Sequence, residues 1–278
     1  MKQGMKRTRL LKSIGVNALA WLLSLLLLAP LLLILINSLK DSTAASDMNL
    51  ALPASLEWSN YAVVIEKGKL GVTFLNSLCY SVASVLLCTL LSAMASYVLS
   101  RNRRKLHRFL YLFIVLGIAM PINFVTLMTV MQSVRLMNTR TGIILLYTAT
   151  QTPFNVFLIH SFVSRIPEDI DEAAIIDGAS PAGLFVKIVL PLLKPVLVTV
   201  MVLTFLNTWN EFVMPLYFLD SSEKWPMTLA VYNFFGMYFK DWNLVCADIV
   251  MTSAPVILVY LLGQKYIVSG MTAGAVKG

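Results

Sequence analysis

Long windows free of charge alternate along the chain with short charged stretches. A helix needs about 20 apolar residues to cross roughly 30 Å of hydrocarbon. Ser13 to Leu39, Leu70 to Ser100, Phe109 to Val134 and Thr141 to Ser164 each meet that length. Pro195 to Leu219 and Trp242 to Gln264 meet it once one acid apiece, Glu211 and Asp248, is admitted. The pattern predicts an all-α polytopic membrane protein with six transmembrane helices, at about 14–37, 73–100, 109–134, 141–164, 195–219 and 242–266. The basic run Lys2, Lys6, Arg7, Arg9 and Lys12 ahead of the first window suits a signal peptide. A cleaved apolar region is only about 7 to 15 residues, however, and Ile14 to Ile36 is longer, so an uncleaved span is expected.

Composition agrees, with 58% apolar and 13% charged residues, the latter about half the usual share for a soluble domain. The net charge of +8 would form a basic face in a nucleic-acid binder; here the charges sit between apolar windows, and no nucleic-acid partner is expected. Cys79, Cys88 and Cys246 all lie within apolar stretches, which supports neither a disulfide scaffold nor a metal site. If the N-terminus is cytoplasmic, the inner segments carry fifteen Lys and Arg and the outer ones seven, which predicts an N-in, C-in orientation. Arg101, Arg103, Arg104, Lys105 and Arg108 then read as a topology anchor between two spans.

One inner segment, 165–194, is too long and too well punctuated for a passive link. Pro167 suits a first helical turn, and Glu168, Asp169, Asp171 and Glu172 crowd the positive end of the helix dipole. Ile166, Ile170, Ala173 and Ala174 make a small apolar face, and Gly178 is the expected stop. Ser180 and Pro181 start a second helix that Pro191 is expected to close. A pair of helices lying in the lipid headgroups would carry bases, yet Glu168 to Asp177 holds five acids and no base. A protein partner fits better.

The spacing Glu172-Ala173-Ala174, three residues, Gly178, nine residues, Ile188-Val189-Leu190-Pro191 resembles the EAA loop of bacterial ABC-importer permeases. Further stretches are similar to permeases of the carbohydrate-uptake class, the maltose-type second permease above all: Phe74 to Leu78, Tyr97 to Arg101, Asn138 to Leu146, Asp177 to Ser180, Trp209 to Phe212 and Gly270 to Gly278. The resemblance covers about 14–278. It implies a basic cytoplasmic N-terminus at 1–13, a six-span permease domain at 14–268 that includes a cytoplasmic coupling loop at 165–194, and a cytoplasmic tail at 269–278. It also implies that Glu172, Ala173, Ala174, Asp177, Gly178 and Pro191 engage an ABC ATPase dimer. Further implied partners are a second permease subunit and an extracytoplasmic solute-binding protein docked on 38–72 and 220–241. The implied setting is the bacterial inner membrane.

Glu211 and Asp248 are costly in lipid and so are functional candidates. The polar run Asn207, Thr208, Trp209, Asn210, Glu211, followed by Pro215, suits either the lining of a water-filled translocation pathway or bonding to the neighbouring permease. Pro121 and Pro153 are candidate hinges, and His107 and His160 lack partners at ligand spacing.

No G-x-x-x-x-G-K-[ST] loop is present. ATP and Mg are therefore expected on a partner, with no cofactor bound by this chain and no enzymatic activity of its own. A membrane enzyme would want clustered titratable groups, and a self-sufficient channel or secondary carrier would not need a coupling loop. The expected function is import of a sugar or oligosaccharide by alternating access, with an alditol or a glycerol phosphate as alternative solutes.

Overall fold

Leucine follows leucine through the first window with no polar face, so the helix it forms has nothing to hide from lipid. In a computed structural model that describes the backbone of residues 2–234 and 241–275 and the side chains of 14–234 and 241–266, this helix, α1 (Lys2–Asn37), leaves Leu22, Leu26 and Leu27 more than half exposed. Every regular element among the described residues is helical. The chain continues through α2 (Ser59–Lys67), α3 (Leu70–Arg101), α4 (Lys105–Leu116), α5 (Phe124–Ser133) and α6 (Arg140–Val163). Beyond these come α7 (Asp169–Ile176), α8 (Pro181–Leu192), α9 (Lys194–Asn210), α10 (Val213–Phe218) and α11 (Trp242–Ala275). The basic side chains at 1–13, residues 235–240 of the expected outer docking loop, and the tail's side chains from 267 lie outside the described residues. The backbone of α11 runs on to Ala275, past the position where the tail was expected to begin.

The chain divides into two compact units. One holds Met1–Leu70 with Val231–Thr252, and the other Gly71–Ala230 with Ser253–Gly278. In the first, a knot of buried polar groups closes the end of α1. The Lys40 ammonium donates to Asn37 Oδ1, Asn49 O and Asn49 Oδ1 at 3.0, 2.9 and 2.8 Å. Asn60 Nδ2 donates to the carbonyls of Ser38 and Lys40, and Asn243 Nδ2 donates to Asn60 Oδ1. Lys40 is only 2% exposed, so its charge is tolerated because neutral oxygens surround it.

The second unit is held by small and polar residues, as expected where lipid removes the hydrophobic force between helices. Ser81, Ser84, Cys88, Ser92 and Ser96 form a buried stripe down α3. Ser84 and Ser96 donate to the carbonyls of Ile144 and Val156 on α6. Asn155 Nδ2 reaches Thr204 Oγ1 on α9 at 2.9 Å and Cys88 Sγ at 3.0 Å, so one amide ties three helices. Thr199 on α9 donates to Tyr266 O, and Gly263 lies where a Cβ would meet a Val202 methyl at 2.7 Å. Asn155→Leu is expected to cost about 1–2 kcal/mol in detergent unfolding; an unchanged midpoint would show that the tie holds nothing.

Among the described residues four helices are long and apolar enough to span a membrane: Ile14–Asn37 within α1, then α3, α6, and Trp242–Tyr266 within α11. The pair α8 and α9, bent by 77°, passes the same test only when taken together, as a broken span or a re-entrant loop. The window at 109–134 is not one helix but two, α4 and α5, with a non-helical stretch between them. Pro121 removes a backbone donor there, and Asn123 Oδ1 instead accepts the Thr126 N–H and starts a new helix. Pro153, by contrast, sits inside continuous α6.

Pro191 lies at the end of its helix, one residue before the last. A π turn over Phe185–Val189 widens the backbone ahead of it, and α8 ends at Leu192. The bend falls at Leu193, where Pro195 would press on the Pro191 carbonyl of a continuing helix. At the far end, α9 stops at Asn210, so the window to Leu219 is likewise interrupted.

Candidate functional site

Between α6 and α9 the chain builds two short helices at the end of one apolar core. Ala174, Leu184, Val189 and Leu193 are buried in it together with Ala93 of α3 and Ile159 and Val163 of α6. Asp169, Asp171 and Glu172 occupy the first turn of α7, where acids offset the helix dipole. Its C-terminus closes as a Schellman turn: Ala179 N–H bonds Ala174 O at 2.9 Å, and Gly178 N–H bonds Ile175 O at 3.0 Å. Gly178 takes φ +81°, and among the described residues no neighbour lies within 4 Å of where its Cβ would be. Gly178→Ala is therefore expected to cost about 1–2 kcal/mol from backbone strain alone, read as faster hydrogen exchange at the Ala174–Ala179 amides. Unchanged exchange would contradict the cap. Ser180 Oγ then accepts the Gly183 N–H, and Pro181 opens α8 as expected.

This geometry sorts the residues singled out from sequence. Ala174 faces the core, whereas Glu172, Ala173, Asp177 and Gly178 face outward, so the two alanines divide between the faces. Pro191 is exposed at the end of α8. Two residues with no signal in the sequence complete the outer surface: Ile175 is 62% exposed and Ile176 84%. A pair of bare isoleucines beside Glu172 and Asp177 is a small apolar knob with an acidic rim, a shape suited to a protein groove. Spacing did not mark the pair: Ile176 lies across the helix from Ala174, but Ile175 follows Asp171 by four residues and shares its side.

The inner face of α7 is pinned by charge. Arg101 Nε, on the last turn of α3, donates to Asp171 Oδ2 at 2.6 Å, with both side chains largely buried. Tyr97 Oη donates to the same oxygen at 3.1 Å, and Arg101 Nη1 donates to Ile166 O at 3.0 Å. Arg101, one of the five bases expected to anchor the topology, is also an internal tie. Arg103 pairs with Glu168 at 2.9 Å, but that bridge is open to solvent and contributes little.

The intramembrane candidates separate. Trp209 is 1% exposed, stacked on Phe205 at 5.5 Å and met edge-on by Phe74 at 5.8 Å, so its faces are occupied by the protein. Asn207 and Asn210 are exposed, the latter donating to Leu206 O. Glu211 interrupts the helix: its Oε1 accepts the N–H groups of Val213 and Met214 at 2.8 and 3.0 Å, capping α10. Its backbone carbonyl accepts from Thr228 Oγ1. Asp248 belongs to the other compact unit, 1% exposed, with no partner for Oδ1 among the described residues. Where the third window breaks, a cavity of about 660 Å³ opens against α6, with Asn123, Thr126 and Thr150 among mainly apolar walls.

Comparison with known proteins agrees with this architecture. Residues 88–273 match the family model described as binding-protein-dependent transport system inner membrane component. The chain is 34% identical over 265 residues to a diacetylchitobiose uptake system permease protein of Streptomyces coelicolor, covering 94% of this chain and 88% of that one. It is 33% identical over 256 residues to a probable starch degradation products transport system permease protein of Thermoanaerobacterium thermosulfurigenes, covering 92% and 93%. Its fold is similar to a chain in the crystal structure of a bacterial ABC transporter involved in import of the acidic polysaccharide alginate, with TM-score 0.81 and 24% identity over 91% of this chain and 95% of that one.

Proposed function

The chain belongs to the family of inner membrane components of binding-protein-dependent transport systems, and on that footing we propose that its exposed α7 knob is the point at which a separate ATPase drives it. It is a multi-pass permease of an ABC import system. The observation that carries the coupling assignment is the outward face of α7, where Ile175 and Ile176 stand bare between Glu172 and Asp177. An ATPase groove would bury the isoleucines and pair the acids with cations.

The solute is a sugar or oligosaccharide. Support comes from relatives whose names specify diacetylchitobiose and starch degradation products. The pathway takes in the exposed Asn207 and Asn210 beside the break at Glu211, with Trp209 acting from behind as packing and Asp248 as a further candidate. The orientation is N-in, C-in with six passes, α4 and α5 together forming the third, supported by the bias of basic residues toward the inner segments. A second permease, an ATPase pair holding ATP and Mg, and an extracytoplasmic binding protein complete the assembly. ATP closure moves α7, the permeases turn outward to receive solute, and hydrolysis restores the inward state.

Proteoliposomes holding the chain with its partner permease and ATPase test this reading. Loaded binding protein should raise ATP hydrolysis and drive uptake of an oligosaccharide. Uptake by this chain alone, with neither ATPase nor binding protein, would replace it with the carrier alternative.

A further inference from the structure

We propose that the Arg101–Asp171 pair is a two-position latch that carries the movement of α7 into α3. The inference rests on the coupling role of α7 and goes beyond it by assigning the load path. A guanidinium presents two donors side by side along its Nε–Nη2 edge, which matches the two oxygens of a carboxylate. Here one bond of that fork is made, Nε to Oδ2 at 2.6 Å. The other two atoms of the fork, Arg101 Nη2 and Asp171 Oδ1, are both buried, and neither has a partner among the described residues.

Leaving one atom of each charged group buried and unmet is costly, and a modest rotation of α7 against the end of α3 relieves both at once by closing the second bond. The remaining contacts keep the pair in reach through such a rotation: Tyr97 holds Oδ2 from α3, and Arg101 Nη1 holds the Ile166 carbonyl ahead of α7. The present geometry is thus the half-closed position, and the bidentate one belongs to another stage of the cycle. Arg101 ends the same continuous helix that carries the buried serines, so a push on α7 is delivered to the helix that contacts α6 through Ser84 and Ser96. Arg101 and Asp171 are positioning residues, since neither touches solute or nucleotide in this account.

Arg101→Lys keeps the charge and one bond to Asp171 but has no second donor on a rigid fork, so the half-closed position survives and the closed one does not. Asp171→Asn is a second variant with a weaker acceptor. In purified complexes normalised to assembled protein, both should retain ATPase binding and basal hydrolysis, while the amount of solute imported per ATP falls about tenfold, the size of one charged hydrogen bond. Wild-type solute-to-ATP ratios in both variants would overturn the latch even if their melting temperatures drop, because that result describes a purely structural pair. Failure of the wild-type chain to bind the ATPase at all would instead overturn the coupling role on which the latch rests.

Discussion

Ile176→Asp is expected to lower binding-protein-dependent import about 100-fold, a loss of about 3 kcal/mol at one interface position. The chain itself should scarcely notice. Ile176 is 84% exposed on α7 and packs against no core, and surface substitutions of this kind stay within about 0.5 kcal/mol of the parent fold. At the knob's centre a carboxylate would enter the ATPase groove without a partner, beside Glu172 and Asp177 that are already there. Uptake and thermal melting of the same preparation separate the two effects. Wild-type import by Ile176→Asp would remove the knob from the account, and a large fall in melting temperature would mean that Ile176 is buried by the chain itself.

Trp209→Ala should cost about 3–5 kcal/mol of stability, whereas its neighbour Asn210→Ala should leave the melting temperature unchanged and reduce uptake alone. The reason is orientation. Trp209 fills the space between Phe205 and Phe74 and is 1% exposed, while Asn210 is exposed and donates to the carbonyl of Leu206 on its own helix. Melting curves and initial uptake rates for the two variants decide it. If Trp209→Ala melts normally and loses solute affinity, the ring is a solute platform after all.

How much of this was legible beforehand depends on the range of the interaction concerned. Capping and turn chemistry act within a few residues, so Gly178, Ser180 and Pro181 announced a helix, a turn and a second helix that the structure reproduces. Apolar length alone marked α1, α3, α6 and α11. Length could not reveal that the window around Pro121 is interrupted, because the break depends on Asn123 capping a new helix in competition with continuation of the old one. Pro191 marked the end of α8 to within a residue, but the π turn ahead of it and the bend at Leu193 depend on how the chain packs and left no local mark.

The tie between Arg101 and Asp171 lay furthest from reach. The two are 70 residues apart, and each had a sufficient local explanation, as a topology anchor and as a dipole-matched acid. Glu211 was flagged as an acid in lipid and is a helix cap, a role set by where α9 stops. The exposure of Ile175 and Ile176 follows only once the opposite face of α7 is known to be occupied.

The central claim, that the outer face of α7 sits in a separate ATPase subunit, is tested most directly by a photo-crosslinking residue at position 176 in membranes that contain the chain's ATPase. One crosslinked product joining the two proteins is expected, lost when the crosslinker is moved to the exposed position 262 in the last apolar helix. Crosslinks from 176 to phospholipid alone would contradict it and would lay α7 in the headgroup plane.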